Sequence, residues 1–244
     1  MANGMTFNDV TSQSLGLEYC VPRIPLLPDR RPSVVDIIGR DGTVDFQNDS
    51  YAPRQIPVDC LIESTSETNL AASLAKVAAW LSGSGYLVFD HDTTKRWSAK
   101  VYQMVEQERY PNVSRFTVLF DAQPYAEDVD ETIGTIGTEQ DYGSDVIFYP
   151  VIEVTLTGAA SSVQVSLTST GEYVLVENDA LAENDVLAFD MEKGLVTLND
   201  SSCMSDVNIS SLFFGVPPGL QTITVTTDGT YTATIAYRKR YLYA

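Results

Sequence analysis

Only one stretch of this chain places apolar residues at helical spacing; nearly every other hydrophobic run alternates with polar residues at period two. In "STSETNLAASLAKVAAWLSGSG" Leu70, Leu74, Val77 and Leu81 share one helical face, Ser64 and Glu67 form a capping box, and Gly83 supplies a stop. This predicts an amphipathic helix of roughly four turns within Ser64 to Gly83. Around it "RQIPVDCLI", "GYLVFD", "WSAKVYQMVE" and "SRFTVLFDA" alternate. An antiparallel sheet with the helix packed on it accounts for all of these.

The composition then changes. "AEDVDETIGTIGTEQDYGSD", Ala126 to Asp145, is rich in acids, Gly and Thr and has little apolar periodicity, so it reads as a linker or exposed loop. Beyond it "VIFYPVIEVTLTG", "SSVQVSLTST", "EYVLVEN", "DVLAFD", "GLVTLND", "QTITVTT" and "TYTATIAYRKRYLY" are short alternating strands separated by turn residues. With no helix between them they predict a β-sandwich or jelly roll. The expected organisation is an N-terminal domain over 1–130, a linker over 131–144 and a C-terminal domain over 145–244. No internal repeat or low-complexity tract interrupts it.

With 244 residues, 44% apolar and 10% aromatic, the chain has ample material for packed cores. Its first residues, "MANGMTFNDVTS", lack a basic flank before an apolar run, and no apolar stretch reaches the roughly 18 residues of a membrane span. Neither a secretion signal nor a span is therefore expected. Cys20, Cys60 and Cys203 are widely separated and lack CxxC spacing, which predicts isolated buried thiols in a protein made in a reducing cytoplasm. Net charge is −18. Acids and bases are near balance up to Arg115, whereas beyond Phe116 the only bases are Lys193, Arg238, Lys239 and Arg240. Such an acidic second half argues against nucleic acid or anionic membrane as a partner, since either needs a basic footprint.

The search for catalytic chemistry is mostly negative. His91 is the single histidine, which removes multi-histidine metal sites, and its segment "FDHDTTKRW" reads as a strand-to-strand turn. No nucleophile elbow, P-loop, HExxH or GxGxxG motif is present. A glycosidase carboxylate pair needs no fixed sequence spacing, so the acids leave that option open. Trp80 lies near the helix's apolar stripe and Trp97 begins a strand, and both read as core. No catalytic, cofactor or metal residue is assigned.

"IIGRDGTVDF" holds the remaining feature. Val34 to Ile38 and Thr43 to Phe46 flank Asp41-Gly42, the signal of a hairpin closed by a two-residue turn. Arg40 stands at the rim, with Arg30, Arg31 and Arg54 nearby, in a chain otherwise poor in bases. A hairpin needs no arginines. They serve either a partner or ordinary surface charge, and Arg40, Asp41 and Gly42 are the candidate interface residues.

In the order "RPSVVDIIGRDGTVDF", "RQIPVDCLIE", "AAWLSGSGYLVFDHDTTKRWSAKVYQ" and "FTVLFDAQPYAED", roughly residues 10 to 130, the chain resembles the N-terminal domain of the distal tail protein family, Dit, of long-tailed siphophages. "PYA" after an F-x-V-x-F strand and "WL" before the turn into "LVFD" carry most of it. More weakly, "LAFDMEKGLVTLND" followed by "SLFFGVPPGLQTITV" resembles the family's galectin-like sandwich.

The resemblance implies a mainly β fold with one substantial helix: an N-terminal α+β domain (β-sandwich plus helix) and a C-terminal galectin-like β-sandwich. It implies a structural role at the virion tail tip, in a particle assembled in the host bacterial cytoplasm. Six copies would form a homo-hexameric ring joining the tail tube to the adsorption apparatus. The implied partners are the tail tube protein, the tail-associated lysin or fibre hub, and receptor-binding proteins; no cofactor is implied. A ring has head-to-tail contacts, for which arginines on one surface and acids on the other would fix register. The alternative is a carbohydrate-binding adhesin. Against it, residues 126 to 244 lack Trp and His, whereas galectin sites use both; Tyr142, Tyr149, Tyr173 and Tyr231 are the remaining stacking candidates.

Overall fold

The protein is described from a computed structural model covering residues 4–31, 34–45 and 50–243. Two compact units emerge, the first extending to Val129 and joined by Leu242 and Tyr243, the second running from Asp130 to Tyr241.

In chain order the first unit holds β1 (Met5–Phe7), β2 (Val10–Thr11), β3 (Leu17–Pro22), β4 (Val34–Asp36), β5 (Thr43–Asp45), β6 (Arg54–Glu63), helix α1 (Glu67–Trp80), β7 (Ser84–Phe89), β8 (Asp92–Arg109), β9 (Val113–Ala122) and β10 (Ala126–Asp128). The main sheet runs β2-β1-β7-β8-β9-β6-β3, with antiparallel neighbours throughout. Alternation sets its faces: Phe116, Val118, Phe120 and Ala122 of β9 are buried, as are Ile56, Val58 and Cys60 of β6. Strand β10 closes on β8 through Glu127 opposite Arg96, whose guanidinium pairs with Glu127 at 2.8 Å and lies 3.7 Å over the Tyr86 ring.

Helix α1 buries Leu70 and Val77, with Leu81 buried just past its end and Leu74 half-buried. Trp80 donates its indole N–H to the Phe7 carbonyl at 2.9 Å and meets the Phe7 ring edge-on, tying the helix to β1. The expected stripe is present, but the cap lies two residues later: the Ser66 hydroxyl accepts from the Asn69 amide at 3.2 Å. "STSE" offers several hydroxyl candidates, and Ser66 is the one whose extended backbone lets the hydroxyl face an orphan amide at the first turn.

The second unit holds β11 (Thr132–Thr135), β12 (Gln140–Asp141), β13 (Val151–Leu156), β14 (Ala160–Leu167), β15 (Tyr173–Leu181), β16 (Val186–Asp190), β17 (Leu195–Leu198), β18 (Ser201–Ser202), β19 (Leu220–Gln221), β20 (Ile223–Thr227) and β21 (Tyr231–Tyr237). One sheet runs β11-β21-β13-β16-β17-β18 and another β15-β14-β20, while β12 and β19 form a short ribbon. Ile152, Val154, Leu187, Phe189 and Ile235 from the first sheet share one buried cluster with Val163, Val165, Val174 and Ile223 from the second. That is a β-sandwich.

The stretch expected as a linker, 131–144, is not one. β11 pairs with β21 through Thr132 opposite Tyr237 to Thr135 opposite Thr234, and β12 pairs with β19. Backbone hydrogen bonds hold this edge while Ile133 stays 73% exposed, so no apolar period marks it in the sequence. Tyr142 is buried, its ring 5.4 Å from Phe148 and 5.2 Å from Tyr237.

The turn between β20 and β21 is pinned to the start of β14. Asp228 accepts from the Ser161 amide at 2.9 Å, the Ser161 hydroxyl at 2.6 Å and the Ser162 amide at 3.3 Å. Next to it, a Cβ on Gly229 would sit 2.6 Å from the Ala159 carbonyl, so only glycine allows this approach. The Ser161 bonds hold the Asp228 carboxyl at about 2, below the ordinary carboxylate value. Its folded value is thus depressed, and the stabilisation it gives is present above about pH 4 and lost as pH falls through about 2. Carboxyl NMR titration is expected to place Asp228 near 2, and the stability difference between wild type and Asp228→Asn should shrink over that acid range.

Candidate subunit interface

The candidate residues lie at the end of an arm. Between β3 and β6 the chain runs out and back: Arg31 donates its amide to the Ser50 carbonyl at 3.0 Å, Ala52 to Asp29 at 2.8 Å, and Arg30 bridges Tyr51. Arg30 lies 5.7 Å over the Tyr51 ring, which packs edge-on against Tyr125. Beyond this root, β4 and β5 pair from Val34 opposite Asp45 to Asp36 opposite Thr43.

A hairpin therefore forms where expected, but a two-residue turn at Asp41-Gly42 does not close it. The loop runs from Ile37 to Gly42, and inside it Arg40 donates its amide to the Ile37 carbonyl at 3.1 Å. Gly39, at φ 85°, occupies the third position of that turn, where a type II turn demands positive φ, and Gly42 at φ 80° leads back into β5. Two glycines in "GRDG" compete for the turn, and the earlier one sets it. Phe46, the end of the expected second run, lies outside the described residues.

Arg40, Asp41 and Gly42 are all exposed, and among the described residues neither the Arg40 guanidinium nor the Asp41 carboxylate has an ion-pair partner. The four arginines noted in sequence thus divide. Arg40 stands at the tip, Arg30 and Arg31 at the root, and Arg54 is core. The Arg54 side chain is buried, donates Nη1 to the Pro25 carbonyl at 2.7 Å and Nη2 to the Leu242 carbonyl at 2.6 Å, and lies 4.9 Å from the Trp97 ring centre. Burial lowers its pKa, yet a guanidinium keeps its proton.

Sequence reasoning looked at the charges and missed the apolar residues beside them. Val34, Val35 and Ile37 are about half exposed, and Ile38 is 103% exposed. Val34 and Val35 are neighbours on one strand, so both faces of the hairpin show aliphatic surface. An isolated two-stranded hairpin is at best marginally stable in water, and clustered exposed aliphatics mark contact surfaces. The signal was present in "SVVDIIG", where two adjacent apolar pairs, Val34-Val35 and Ile37-Ile38, flank Asp36 and a solvated hairpin would alternate.

Elsewhere, His91 sits in the β7–β8 turn stacked on Phe89, and no group of acids, histidine and cysteines among the described residues could hold a metal ion. Of the tyrosines considered for sugar stacking, Tyr142 is excluded by burial, while Tyr149 and Tyr231 are exposed. Tyr231 donates its hydroxyl to the Val225 carbonyl at 3.0 Å, and Tyr149 lies 5.4 Å from the Arg240 guanidinium.

Residues 11–122 match the family model for a phage tail protein RIFT-related domain, and residues 143–241 match that for the C-terminal domain of siphovirus-type tail components. The crystal structure of the SPP1 Dit protein is similar over 98% of this chain and 99% of that one, with a TM-score of 0.84 at 15% identity. The phage P2 baseplate in its activated conformation includes a chain similar over 91% of this chain and 92% of that one, at a TM-score of 0.51 and 9% identity. A search of curated proteins finds no match. Two units, each matching a tail-protein domain in the family's order, define a structural protein of a phage tail. The chain belongs to the distal tail protein family of siphophages.

Proposed function

We propose that six copies of this chain form a ring at the distal end of the tail tube, and that the Val34–Asp45 hairpin of each copy seats on its neighbour. The first unit builds the ring. The acidic second unit carries the attachment points for the adsorption apparatus, and the contacts are with the tail tube protein, the tail-associated lysin or fibre hub, and receptor-binding proteins. Assembly takes place in the host cytoplasm, and the role is structural, with no catalytic step. The SPP1 relative is described as a paradigm of the hub adsorption apparatus in phages infecting Gram-positive hosts, and the P2 relative is part of a baseplate; both support this reading.

One observation carries the proposal: among the described residues of the hairpin, Val34, Val35, Ile37 and Ile38 stand exposed and none joins the buried core. A head-to-tail ring gives each such hairpin a different, complementary surface on the next copy. Magnitudes decide which residues matter. Burying an exposed Ile contributes roughly 1.5 to 3 kcal/mol, whereas a rim ion pair contributes about 0.2 to 1. Ile38 should therefore outweigh Arg40, although reversing Arg40 to Glu adds like-charge repulsion against an acidic surface on the neighbour.

Negative-stain images of the purified wild type are expected to show six-fold rings. Ile38→Asp should leave folded subunits with unchanged circular dichroism that no longer assemble by native mass spectrometry, and Arg40→Glu should weaken assembly in a salt-dependent way. Rings from Ile38→Asp indistinguishable from wild type would end the role of the hairpin. A wild-type monomer that bound a glycan array would favour the adhesin instead.

A further inference from the structure

We infer that Cys20 and Cys60 are a dithiol that closes into a disulfide when the protein meets a small peroxide, stapling the root of the arm. They are not the isolated thiols expected from their spacing. The two are 40 residues apart in sequence, yet directly opposed on antiparallel β3 and β6, with Cys60 Sγ 3.2 Å from Cys20 Sγ. Both are buried and free. Directly opposed residues on antiparallel strands have Cα atoms about 4.5 to 5.5 Å apart, inside the 4.4 to 6.8 Å range of disulfides. Closing the bond therefore needs a shift of the sulfurs and no change of register. Cys203, buried in the second unit, is the internal contrast, because no other cysteine lies in that unit.

The hydrogen bonds assign the order of events. Cys60 donates its S–H toward Cys20 Sγ and lies 3.8 Å from the Val58 carbonyl, and the bond to Cys20, with burial, pushes its pKa up. Cys60 is the donor of the pair, so Cys20 is the attacking sulfur. Cys20, as thiolate, attacks one oxygen of hydrogen peroxide; the O–O bond breaks, hydroxide leaves and takes up a proton as water, and Cys20 becomes the sulfenic acid. Cys60 Sγ then attacks Cys20 Sγ, gives up its proton, and displaces hydroxide, which departs as a second water. The sum is two thiols and one peroxide to one disulfide and two waters, with two electrons passing from sulfur to oxygen. Burial excludes bulkier oxidants, so a small peroxide is the reagent that fits.

The position gives the bond a consequence. β3 and β6 are the two strands from which the arm departs, so the disulfide joins its outgoing and returning ends covalently. The state would be open among reduced thiols and closed in an oxidising medium.

The test uses the full chain, reduced and then exposed to graded hydrogen peroxide, with alkylation in denaturant. A mass loss of about 2 Da, protection of two thiols of the three, and a Cys20–Cys60 linked peptide are expected. Limited trypsin cleavage within the arm should then yield fragments that separate only after reduction. The melting temperature should rise by about 5 to 15 °C, as a loop of this length implies. Cys203→Ala should behave as wild type, and Cys20→Ala/Cys60→Ala should show no peroxide-dependent shift. If all three thiols stay alkylatable, or sulfinic acid or a Cys203-linked dimer is the product, the inference is wrong. The mass readout on wild type decides even where the double variant folds poorly, and it is independent of whether rings form.

Discussion

Leu70→Asp is expected to unfold the first unit and leave the second standing. Leu70 is fully buried on the helix's inner face, with Val77 two turns along the same face. Truncation to Ala already costs about 2 to 5 kcal/mol, and a carboxylate adds an unpaired charge with no buried partner to offset it. That exceeds what a domain of this size can lose from a total stability of about 5 to 15 kcal/mol. Both tryptophans, Trp80 and Trp97, are in the first unit, so indole emission reports that unit alone. A red-shifted spectrum with a surviving urea transition in far-ultraviolet dichroism is the expected result. Leu74→Asp, at a half-buried position, should cost visibly less. Equal effects at the two positions would mean the helix is rotated from the orientation described.

Arg54→Ala is the second large effect. The side chain joins three segments: β6 through its own backbone, the Pro25 carbonyl before the arm, and the Leu242 carbonyl from the end of the chain, all over the face of Trp97. Removing it leaves two carbonyls that have lost charge-assisted donors and a cavity beside the indole. A cost of about 3 to 5 kcal/mol follows, since breaking a buried charged arrangement from one side is expensive. The melting temperature of the first unit should fall by roughly 6 to 20 °C. Arg54→Lys should recover little, because an ammonium cannot reach both carbonyls or stack flat on the ring. A change under 2 °C for Arg54→Ala would show that these contacts contribute nothing net.

The candidate interface was legible in part. Asp41-Gly42 signalled a reversal, and the reversal is there, but Gly39 rather than Asp41 sets its turn. The arginines drew attention to this segment, but its exposed aliphatics are the stronger ground for the proposed contact. Their positions in sequence are close, yet Arg54 is interior and Arg40 is at the tip, and no local pattern separates the two. "SVVDIIG" was the stronger sign, since adjacent apolar pairs put aliphatic side chains on both faces of a strand.

Periodicity determined the elements. A 3.6-residue spacing occurs once and a two-residue spacing almost everywhere else, and the helix and the long strands follow because a side chain's face is set by local backbone geometry alone. The order of tail-family motifs likewise lies in the sequence. Only the tertiary structure decided what strand pairing brings together. The 131–144 stretch became an edge strand and a ribbon, because backbone hydrogen bonds need no apolar pattern to form. Cys20 came to face Cys60 because β3 and β6 pair from Tyr19 opposite Leu61 to Pro22 opposite Val58, and a further shift of a single residue there would have turned the thiols to opposite faces. Nothing within either strand specifies that alignment; it is fixed by which faces the whole sheet must bury.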